Sequence, residues 1–257
     1  MEKNVNRVYQ LSNGKEMAPC KYEWVGDFND GLMKVYLNGK WGYTDINGKE
    51  VVPCKYDWVC DFQDELSLVS LNGQWGFVDK TGKEVIPCKY NDAYKFSDGL
   101  SKVLLKNRWG YIDKTGREVI PCKYYKVSHF YRGLVAVQLN GKWGFLDKTG
   151  REVIPFKYDD AGAFFNGLSR VRLNGKWGCV DTSGKELIPP IFSDIYVTDS
   201  VIIAVLGCKF GLLNYDGEYI LPCEYDKIRT IDGVIIVAKS NKEFIFDEKG
   251  ELFEEKH

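Results

Sequence analysis

The sequence predicts an all-β protein built from tandem repeats. The dipeptide Trp-Gly recurs every 34 residues, and apolar and polar residues alternate with a period of two inside each repeat. No long stretch shows the i, i+3, i+4 apolar pattern of a helix free of Gly and Pro. A period of two is typical of half-buried strands, so we expect strands throughout and almost no helix.

The repeat accounts for nearly the whole chain. The Trp-Gly dipeptides begin at Trp41, Trp75, Trp109, Trp143 and Trp177, and Phe210-Gly211 continues the phase. A turn glycine recurs with nearly the same spacing from Gly14 to Gly250 and gives eight copies of this half. The other half, which begins at Tyr22, occurs seven times. Residues 1–257 are therefore expected to form a single domain of seven units plus an extra half unit.

Each unit is expected to begin with a β-hairpin. In one unit the alternating residues 66–71 predict a strand, and Asn72-Gly73, like Asn38-Gly39 in the preceding unit, is typical of a type I′ turn. The returning strand, residues 74–79, places Trp75 on one face and Gly76 on the other. Glycine at this position permits the close approach of another backbone or ring.

A third and a fourth strand are expected to complete the unit. Residues 79–82, Asp-Lys-Thr-Gly, predict a type I turn, and a strand follows from Lys83 to Pro87. Because proline lacks an N–H group, Pro87 should end this strand or lie at a sheet edge. The chain then bends through residues 88–90 into a short fourth strand. Each unit is thus predicted to be a four-strand antiparallel meander.

Such units must pack on one another, because a lone meander leaves its apolar residues uncovered. They can do so radially, as in a propeller, or linearly, as in a solenoid. Ring closure removes exposed sheet edges, which favours a propeller-like toroid of about seven units. The alternative is an open superhelical β-solenoid, since 34 residues is short for a propeller blade.

The pattern resembles the WG-repeat family of bacterial β-repeat proteins. The motif reads NGKWGYTDINGKEVVPCKYD at residues 38–57 and NGKWGFLDKTGREVIPFKYD at residues 140–159. The resemblance covers about residues 5–253. It implies a β-rich repeat protein with no shared catalytic chemistry. In the last two units Trp is replaced by Phe210 and Phe244, so the packing of these units is expected to differ.

The composition indicates a soluble protein whose net charge creates no electrostatic field that would attract polyanions. The formal net charge is −1, with 35 Lys and Arg against 36 Asp and Glu, which predicts no nucleic-acid partner and no membrane partner. The first residues contain no apolar leader, and no apolar run approaches the length of a membrane span. We expect a cytoplasmic monomer.

The residues that commonly carry catalysis or bind metals have structural interpretations in this sequence. Cys20, Cys54, Cys88, Cys122 and Cys223 share one repeat position and form no CxxC pair, and His129 and His257 are the only histidines. The repeated aspartates, Asp45, Asp79, Asp113, Asp147 and Asp181, are expected to cap turns. The repeated glutamates, Glu50, Glu84, Glu118, Glu152 and Glu186, are expected on a solvated face. We therefore predict no catalytic residue, no metal and no cofactor.

Residues that interrupt the repeat are the candidates for binding. Trp24 and Trp58 occupy a position where other units have Asp92, Lys126 and Asp160, although core packing is an equal interpretation for both tryptophans. Large aromatic residues also appear in loops that are otherwise polar. The candidate set is Trp24, Trp58, His129, Phe130, Tyr131, Arg132 and Phe165. The tryptophans of the Trp-Gly dipeptides are expected in the core between units rather than in a stacking platform.

The function predicted from the sequence is that of a binding or scaffold module for a protein partner. The frame of the repeat is occupied by structural residues, and the variation lies in loops. The alternative is a carbohydrate- or cell-wall-binding module of the lectin type, with several equivalent weak sites. A hydrolase that uses paired carboxylates is a third, less favoured hypothesis.

Overall fold

The protein is described by a computed structural model that covers residues 21–231, 234–240, 242–247 and 251–256. These residues form strands and turns and contain no helix. Within this part of the chain, nothing has the helical length and hydrophobicity that a membrane span requires. Gly14, Cys20, Gly250 and His257, named above, lie outside the described residues.

The strands of the described residues form seven four-stranded antiparallel sheets, numbered 1 to 7 along the chain. Sheets 1 to 3 contain β1 (Trp24–Asn29), β2 (Leu32–Leu37), β3 (Lys40–Thr44), β4 (Glu50–Tyr56); β5 (Trp58–Val59), β6 (Leu66–Leu71), β7 (Gln74–Asp79), β8 (Glu84–Tyr90); β9 (Asp92–Ala93), β10 (Leu100–Leu105), β11 (Arg108–Asp113) and β12 (Glu118–Tyr124). Sheets 4 and 5 contain β13 (Lys126–Val127), β14 (Leu134–Leu139), β15 (Lys142–Asp147), β16 (Glu152–Tyr158); β17 (Asp160–Ala161), β18 (Leu168–Leu173), β19 (Lys176–Asp181) and β20 (Glu186–Phe192). Sheets 6 and 7 contain β21 (Asp194–Val197), β22 (Ile202–Leu206), β23 (Lys209–Leu213), β24 (Tyr219–Tyr225); β25 (Lys227–Ile231), β26 (Val234–Lys239), β27 (Lys242–Phe246) and β28 (Leu252–Lys256).

The all-β class and the four-stranded meander are confirmed, since the four strands of every sheet are neighbours in chain order. The chain divides into two compact units, Met1–Lys123 and Tyr124–His257. The single domain stays a prediction, and so does the choice between a toroid and a solenoid.

The short strand belongs to the following sheet, which differs from the predicted unit. Asp92 and Ala93 pair with Leu104 and Val103, so β9 begins sheet 3 and does not end sheet 2. The chain reaches this position from β8, which is the last strand of sheet 2 and continues through Pro87 to Tyr90. Pro87 is exposed on that edge strand, as the missing N–H group predicted.

The predicted turns are present. Asn38 and Gly39 both have positive φ angles, 51° and 79°, as a type I′ hairpin turn requires. At the second turn of sheet 2, Oδ1 of Asp79 accepts hydrogen bonds of 2.9 Å and 3.0 Å from the backbone N–H groups of Thr81 and Lys83. The repeated aspartates of this type therefore cap turns.

The glycine of the Trp-Gly dipeptide allows a kink in the last strand of the sheet. A Cβ atom on Gly76 would lie 2.5 Å from the carbonyl oxygen of Ile86 and 2.6 Å from the nitrogen of Cys88. The register between β7 and β8 shifts at this point, between Trp75 and Phe77. Glycine is required because the backbone of the kinked edge strand occupies the place of a side chain.

Neighbouring sheets within each compact unit share a hydrophobic core. The core between sheets 1 and 2 contains Tyr43, Val52 and Tyr56 of sheet 1 and Val59, Val69 and Val78 of sheet 2. Equivalent cores join sheets 2 and 3, 4 and 5, 5 and 6, and 6 and 7. Trp143 is buried in such a core, whereas Trp41, Trp75 and Trp177 are half-buried against theirs.

Two of the repeated glutamates remain at the surface, as predicted, and also bind residues of the preceding sheet, which was not predicted. Oε1 of Glu84 lies 2.8 Å from Nζ of Lys55 and accepts a 3.0 Å hydrogen bond from the hydroxyl of Tyr56. Glu186 makes the same two contacts with Lys157 and Tyr158. The repeat spacing alone did not show that the start of one edge strand lies beside the end of the preceding one.

The seventh sheet departs from the repeat, and its alignment differs from the predicted one. Glu243 pairs with Ala238 and takes the tryptophan position, while Phe244 takes the glycine position. The ladder between β27 and β28 accordingly stays regular from Glu243 to Ile245. The phenyl group of Phe244 prevents the close backbone approach that glycine allows in the other sheets.

Candidate binding surface

An aromatic row crosses the first sheet. Trp24 on β1 pairs with Tyr36 on β2, and Tyr36 pairs with Trp41 on β3. Directly opposed residues of antiparallel strands project from the same face, so these three side chains lie side by side. Trp58, the first residue of sheet 2, adds a fourth ring. We call Trp24, Tyr36, Trp41 and Trp58 the tryptophan cluster.

Trp41 is the centre of this cluster. Its ring centroid lies 5.3 Å from that of Trp24 at an interplanar angle of 72°, and 6.0 Å from that of Trp58 at 60°. The ring of Tyr36 lies 4.9 Å away at 53°. Edge-to-face contacts at these distances are attractive, so Trp41 holds the two outer tryptophans in place.

The two outer tryptophans are exposed, so the interpretation that Trp24 and Trp58 pack in the core does not hold. Trp24 is 44% exposed and Trp58 is 52% exposed. Gly26 makes room for the first of them, because a Cβ atom at Gly26 would lie 2.6 Å from Cη2 of Trp24. The Trp24 ring therefore lies along its own strand and leaves a large apolar face in solvent.

An acidic residue precedes each exposed tryptophan in the chain. Glu23 precedes Trp24, and its Oε1 accepts a 3.2 Å hydrogen bond from the backbone N–H of Asn38. Asp57 precedes Trp58 and accepts a hydrogen bond from Lys40, which lowers the pKa of this carboxyl. Because Lys40 pairs with Asp57, this carboxylate adds no net charge beside Trp58.

A cavity of about 350 Å³ opens beside Trp24. Its lining includes Trp24, Gly26, Asp27, Asn29, Lys34 and Asp61. Nζ of Lys34 lies 2.7 Å from Oδ1 of Asp61 and joins sheet 1 to sheet 2 across the cavity. One carboxylate, Asp27, adds negative charge beyond this ion pair.

The remaining predicted residues lie in the second compact unit, in loops of sheets 4 and 5. The ring of Tyr131 stacks on buried Phe164 with centroids 6.0 Å apart, and the guanidinium carbon of Arg132 lies 5.5 Å from the centroid of Tyr131. Phe165 is 44% exposed. His129 is exposed and Phe130 is half-buried. The structure thus joins Tyr131 and Arg132, and it joins Trp24 and Trp58 through Trp41.

Phe165 also borders a second cavity. This cavity has a volume of about 350 Å³, and its lining includes Arg170 and Tyr196. Nη1 of Arg170 donates a 3.3 Å hydrogen bond to the carbonyl oxygen of Ile195. The polar groups of this cavity are therefore partly occupied by contacts within the protein.

Sequence reasoning missed Tyr36, and it placed Trp41 at the core between sheets without predicting that Trp41 also contacts the two exposed tryptophans. The signal for Tyr36 was present, because the equivalent positions carry Ser70, Leu104, Gln138 and Arg172. An aromatic residue that interrupts the repeat was the same signal that identified Trp24 and Trp58.

Four of the described thiols are at least partly buried and have raised pKa values. Burial raises the pKa of Cys54, Cys88 and Cys122 to about 11 and that of Cys179 to about 12. A thiol with such a pKa is a poor nucleophile at neutral pH. In the described part of the chain, no three or more His, Cys, Asp or Glu residues lie together as a metal site.

A family model described as WG containing repeat matches the chain seven times in tandem. The matched residues are 12–41, 41–75, 75–109, 109–143, 143–177, 177–200 and 210–242. The chain belongs to the WG-repeat family. Trp41 of the cluster thus belongs to the Trp-Gly dipeptide of the repeat. Trp24, Tyr36 and Trp58 occupy positions at which sheets 3 to 5 of this chain carry no aromatic residue. No match was found among curated proteins.

Several solved structures resemble the WG-repeat chain at low identity. Hsv2p of Kluyveromyces lactis is 11% identical over 91% of this chain and 98% of that chain, with a TM-score of 0.39. AztD of Citrobacter koseri in its apo form is 11% identical over 95% and 89%, with a TM-score of 0.35. A eukaryotic initiation factor is 9% identical over 95% and 90%, also with a TM-score of 0.35. At these TM-scores the likeness gives no guidance on function.

Proposed function

We propose that the protein is a non-enzymatic binding or scaffold module, and that it holds a protein partner against the tryptophan cluster. The observation that carries the proposal is the exposure of Trp24 and Trp58 on either side of Trp41. Tryptophan is enriched among the residues that dominate binding energy at protein interfaces. Exposed apolar patches with a polar border are typical of such interfaces.

The contacts of the repeated acidic residues support binding rather than hydrolysis. Asp79, Asp113, Asp147 and Asp181 accept hydrogen bonds from backbone N–H groups in their own turns. Glu84 and Glu186 are occupied by lysine and tyrosine of the preceding sheet. These carboxylates therefore already have structural partners, which supports binding over hydrolysis.

The exposed aromatic residues differ from one repeat to the next, which favours a protein partner over a glycan. A lectin with several equivalent sites requires the same aromatic surface on several sheets. At the positions of Trp24 and Trp58, sheets 3, 4 and 5 carry Asp92, Lys126 and Asp160. The surface therefore occurs at one place along the described repeats, as a single protein interface would.

The test is capture of a partner followed by measurement with purified components. Wild type and the double variant Trp24→Ala/Trp58→Ala are used as baits, and Tyr125→Ala is the control because Tyr125 is a 61% exposed aromatic residue in the other compact unit. The captured protein is identified, purified and titrated calorimetrically. We expect the double variant to raise Kd by at least about 30-fold, and the control to leave Kd unchanged.

Two outcomes contradict this proposal. One is a purified partner that binds the double variant as tightly as wild type. The other is a protein that retains its cluster and its fold and yet recruits no protein partner. A parallel titration with soluble oligosaccharides separates the lectin alternative, which predicts weak binding of sugars by wild type and its loss in the double variant.

A further inference from the structure

In two other sheets the tryptophan of the Trp-Gly dipeptide makes cation–π contacts with basic side chains. In sheet 3 the ammonium group of Lys102 lies 4.7 Å from the ring centroid of Trp109 and 4.1 Å from that of Tyr94. In sheet 5 the guanidinium carbons of Arg170 and Arg172 lie 4.8 Å and 5.9 Å from the centroid of Trp177. Both tryptophans thus carry a cation of their own sheet.

The equivalent cation of sheet 1 is directed elsewhere. Lys34 occupies the repeat position of Lys102 and Arg170, but its ammonium group pairs with Asp61 at 2.7 Å. Among residues 21–231, no Lys or Arg side chain is found over the ring of Trp41. Aromatic rings surround Trp41 in place of a cation, namely Trp24, Tyr36 and Trp58.

The charge around the cluster suits an incoming cation. Asp27 lines the cavity beside Trp24, and Glu23 precedes Trp24 in the chain. Lys40 neutralises Asp57, and Lys34 neutralises Asp61. Glu23 and Asp27 remain as carboxylates without a cationic partner among the ion pairs of the described residues. A ligand cation would therefore meet π faces and negative charge together.

We propose that the tryptophan cluster binds the guanidinium group of an arginine side chain of the partner protein. The inference rests on the proposed function and specifies the chemistry of that site. A guanidinium group is planar and weakly hydrated, so it stacks on aromatic rings with a smaller loss of hydration than an ammonium group. Sheet 5 gives the intramolecular example, since two guanidinium groups lie over Trp177.

The first test compares two peptides that differ in charge but scarcely in shape. The peptide acetyl-Gly-Ser-Arg-Ser-Gly-amide and its citrulline counterpart are titrated into the full chain, and the indole N–H resonances are followed by NMR. We expect the arginine peptide to bind at least about 5-fold more tightly than the citrulline peptide. Equal affinity for the two peptides, or no shift with either, overturns the inference.

The second test locates the site. Trp24→Leu/Trp58→Leu keeps apolar side chains but removes the two exposed π faces, and Tyr125→Leu is the matched control in the other compact unit. Thermal melting first verifies that both variants fold. We expect the preference for arginine over citrulline to disappear in the double variant and to persist in the control. A preference that survives in the double variant overturns the inference.

Failure of this inference can be told apart from failure of the proposed function. A captured partner that requires Trp24 and Trp58 but keeps its affinity when its interface arginines are changed to glutamine contradicts only the guanidinium inference. An arginine peptide that binds the cluster while no partner protein requires Trp24 and Trp58 contradicts only the proposed function.

Discussion

The hydroxyl of Tyr56 donates a 3.0 Å hydrogen bond to Oε1 of Glu84, which belongs to the next sheet. Lys55 reaches the same oxygen at 2.8 Å. Tyr158 and Glu186 repeat the contact between sheets 4 and 5. Tyr56 and Tyr158 are fully buried. Each of these side chains therefore contributes core packing and also a hydrogen bond between two sheets.

Removing the Tyr56 hydroxyl should weaken this link. We expect Tyr56→Phe to lower the free energy of unfolding by about 1 kcal/mol, because the phenyl group keeps its packing and only the hydrogen bond to Glu84 is lost. Urea denaturation followed by circular dichroism measures the change.

Tyr90 offers a matched control at the same repeat position. Its hydroxyl is buried without a hydrogen-bond partner, while Glu118, the counterpart of Glu84, accepts a hydrogen bond from the backbone of Cys122. Tyr90→Phe should therefore cost nothing or slightly stabilise the fold, since an unsatisfied hydroxyl is removed. Equal destabilisation by Tyr56→Phe and Tyr90→Phe would show that the Tyr56–Glu84 hydrogen bond contributes little.

The same carboxylate predicts a dependence of stability on pH. The hydrogen bond from Lys55 lowers the pKa of Glu84 below its ordinary value of 4.5. A carboxyl with a lower pKa in the folded state stabilises the fold above its unfolded pKa, and this contribution is lost as the pH falls through the folded pKa. We expect the difference in stability between wild type and Glu84→Gln to be constant above about pH 6 and to shrink below about pH 4. A difference that grows at low pH would contradict this assignment.

The glycine of the Trp-Gly dipeptide should not tolerate a side chain. A Cβ atom on Gly110 would lie 2.5 Å from the carbonyl oxygen of Ile120 and 2.7 Å from the nitrogen of Cys122. We expect Gly110→Val to lower the free energy of unfolding by about 3 kcal/mol, because the kinked edge strand must move away. Ser97→Asn is the control: Ser97 is exposed, and its contacts with Leu100 are made by the backbone. Similar shifts in the two thermal melts would contradict the proposed role of Gly110.

The thiols should differ in reactivity according to their burial. Cys208 is exposed, whereas Cys179 is buried and its pKa is raised to about 12. At pH 8 we expect iodoacetamide to alkylate Cys179 at least about 100-fold more slowly than Cys208 in the native protein, because the thiolate is the reactive form. Peptide mass spectrometry gives the rate at each site, and urea should abolish the difference. Comparable native rates would contradict the burial of Cys179.

Much of the fold could be predicted because turn chemistry is local. Asn38-Gly39 and the turn that begins at Asp79 adopt the predicted conformations, since their φ angles and side-chain caps depend on adjacent residues. The membership of β9 in sheet 3 was not predicted. Which sheet edge a short strand joins depends on the position of β10, and the residues of β9 carry no signal for it.

The candidate site was predicted in part. Trp24 and Trp58 were identified because they interrupt the repeat, and both prove exposed. Their meeting through Trp41 was not predicted, because Trp41 is identical in its motif to tryptophans that lie in the core or under a cation. Only the neighbours of each tryptophan distinguish these cases.

The sequence by itself determined the repeat length, the all-β class, the turns and the positions that depart from the repeat, since these follow from residue spacing and local backbone preferences. The tertiary structure decided which carboxylates bind across sheets and which tryptophans reach solvent. The physical reason is that Glu84 and Tyr56, like Trp41 and Trp58, meet only after two sheets pack together. Contacts between sheets depend on distance in space, which the 34-residue period does not encode.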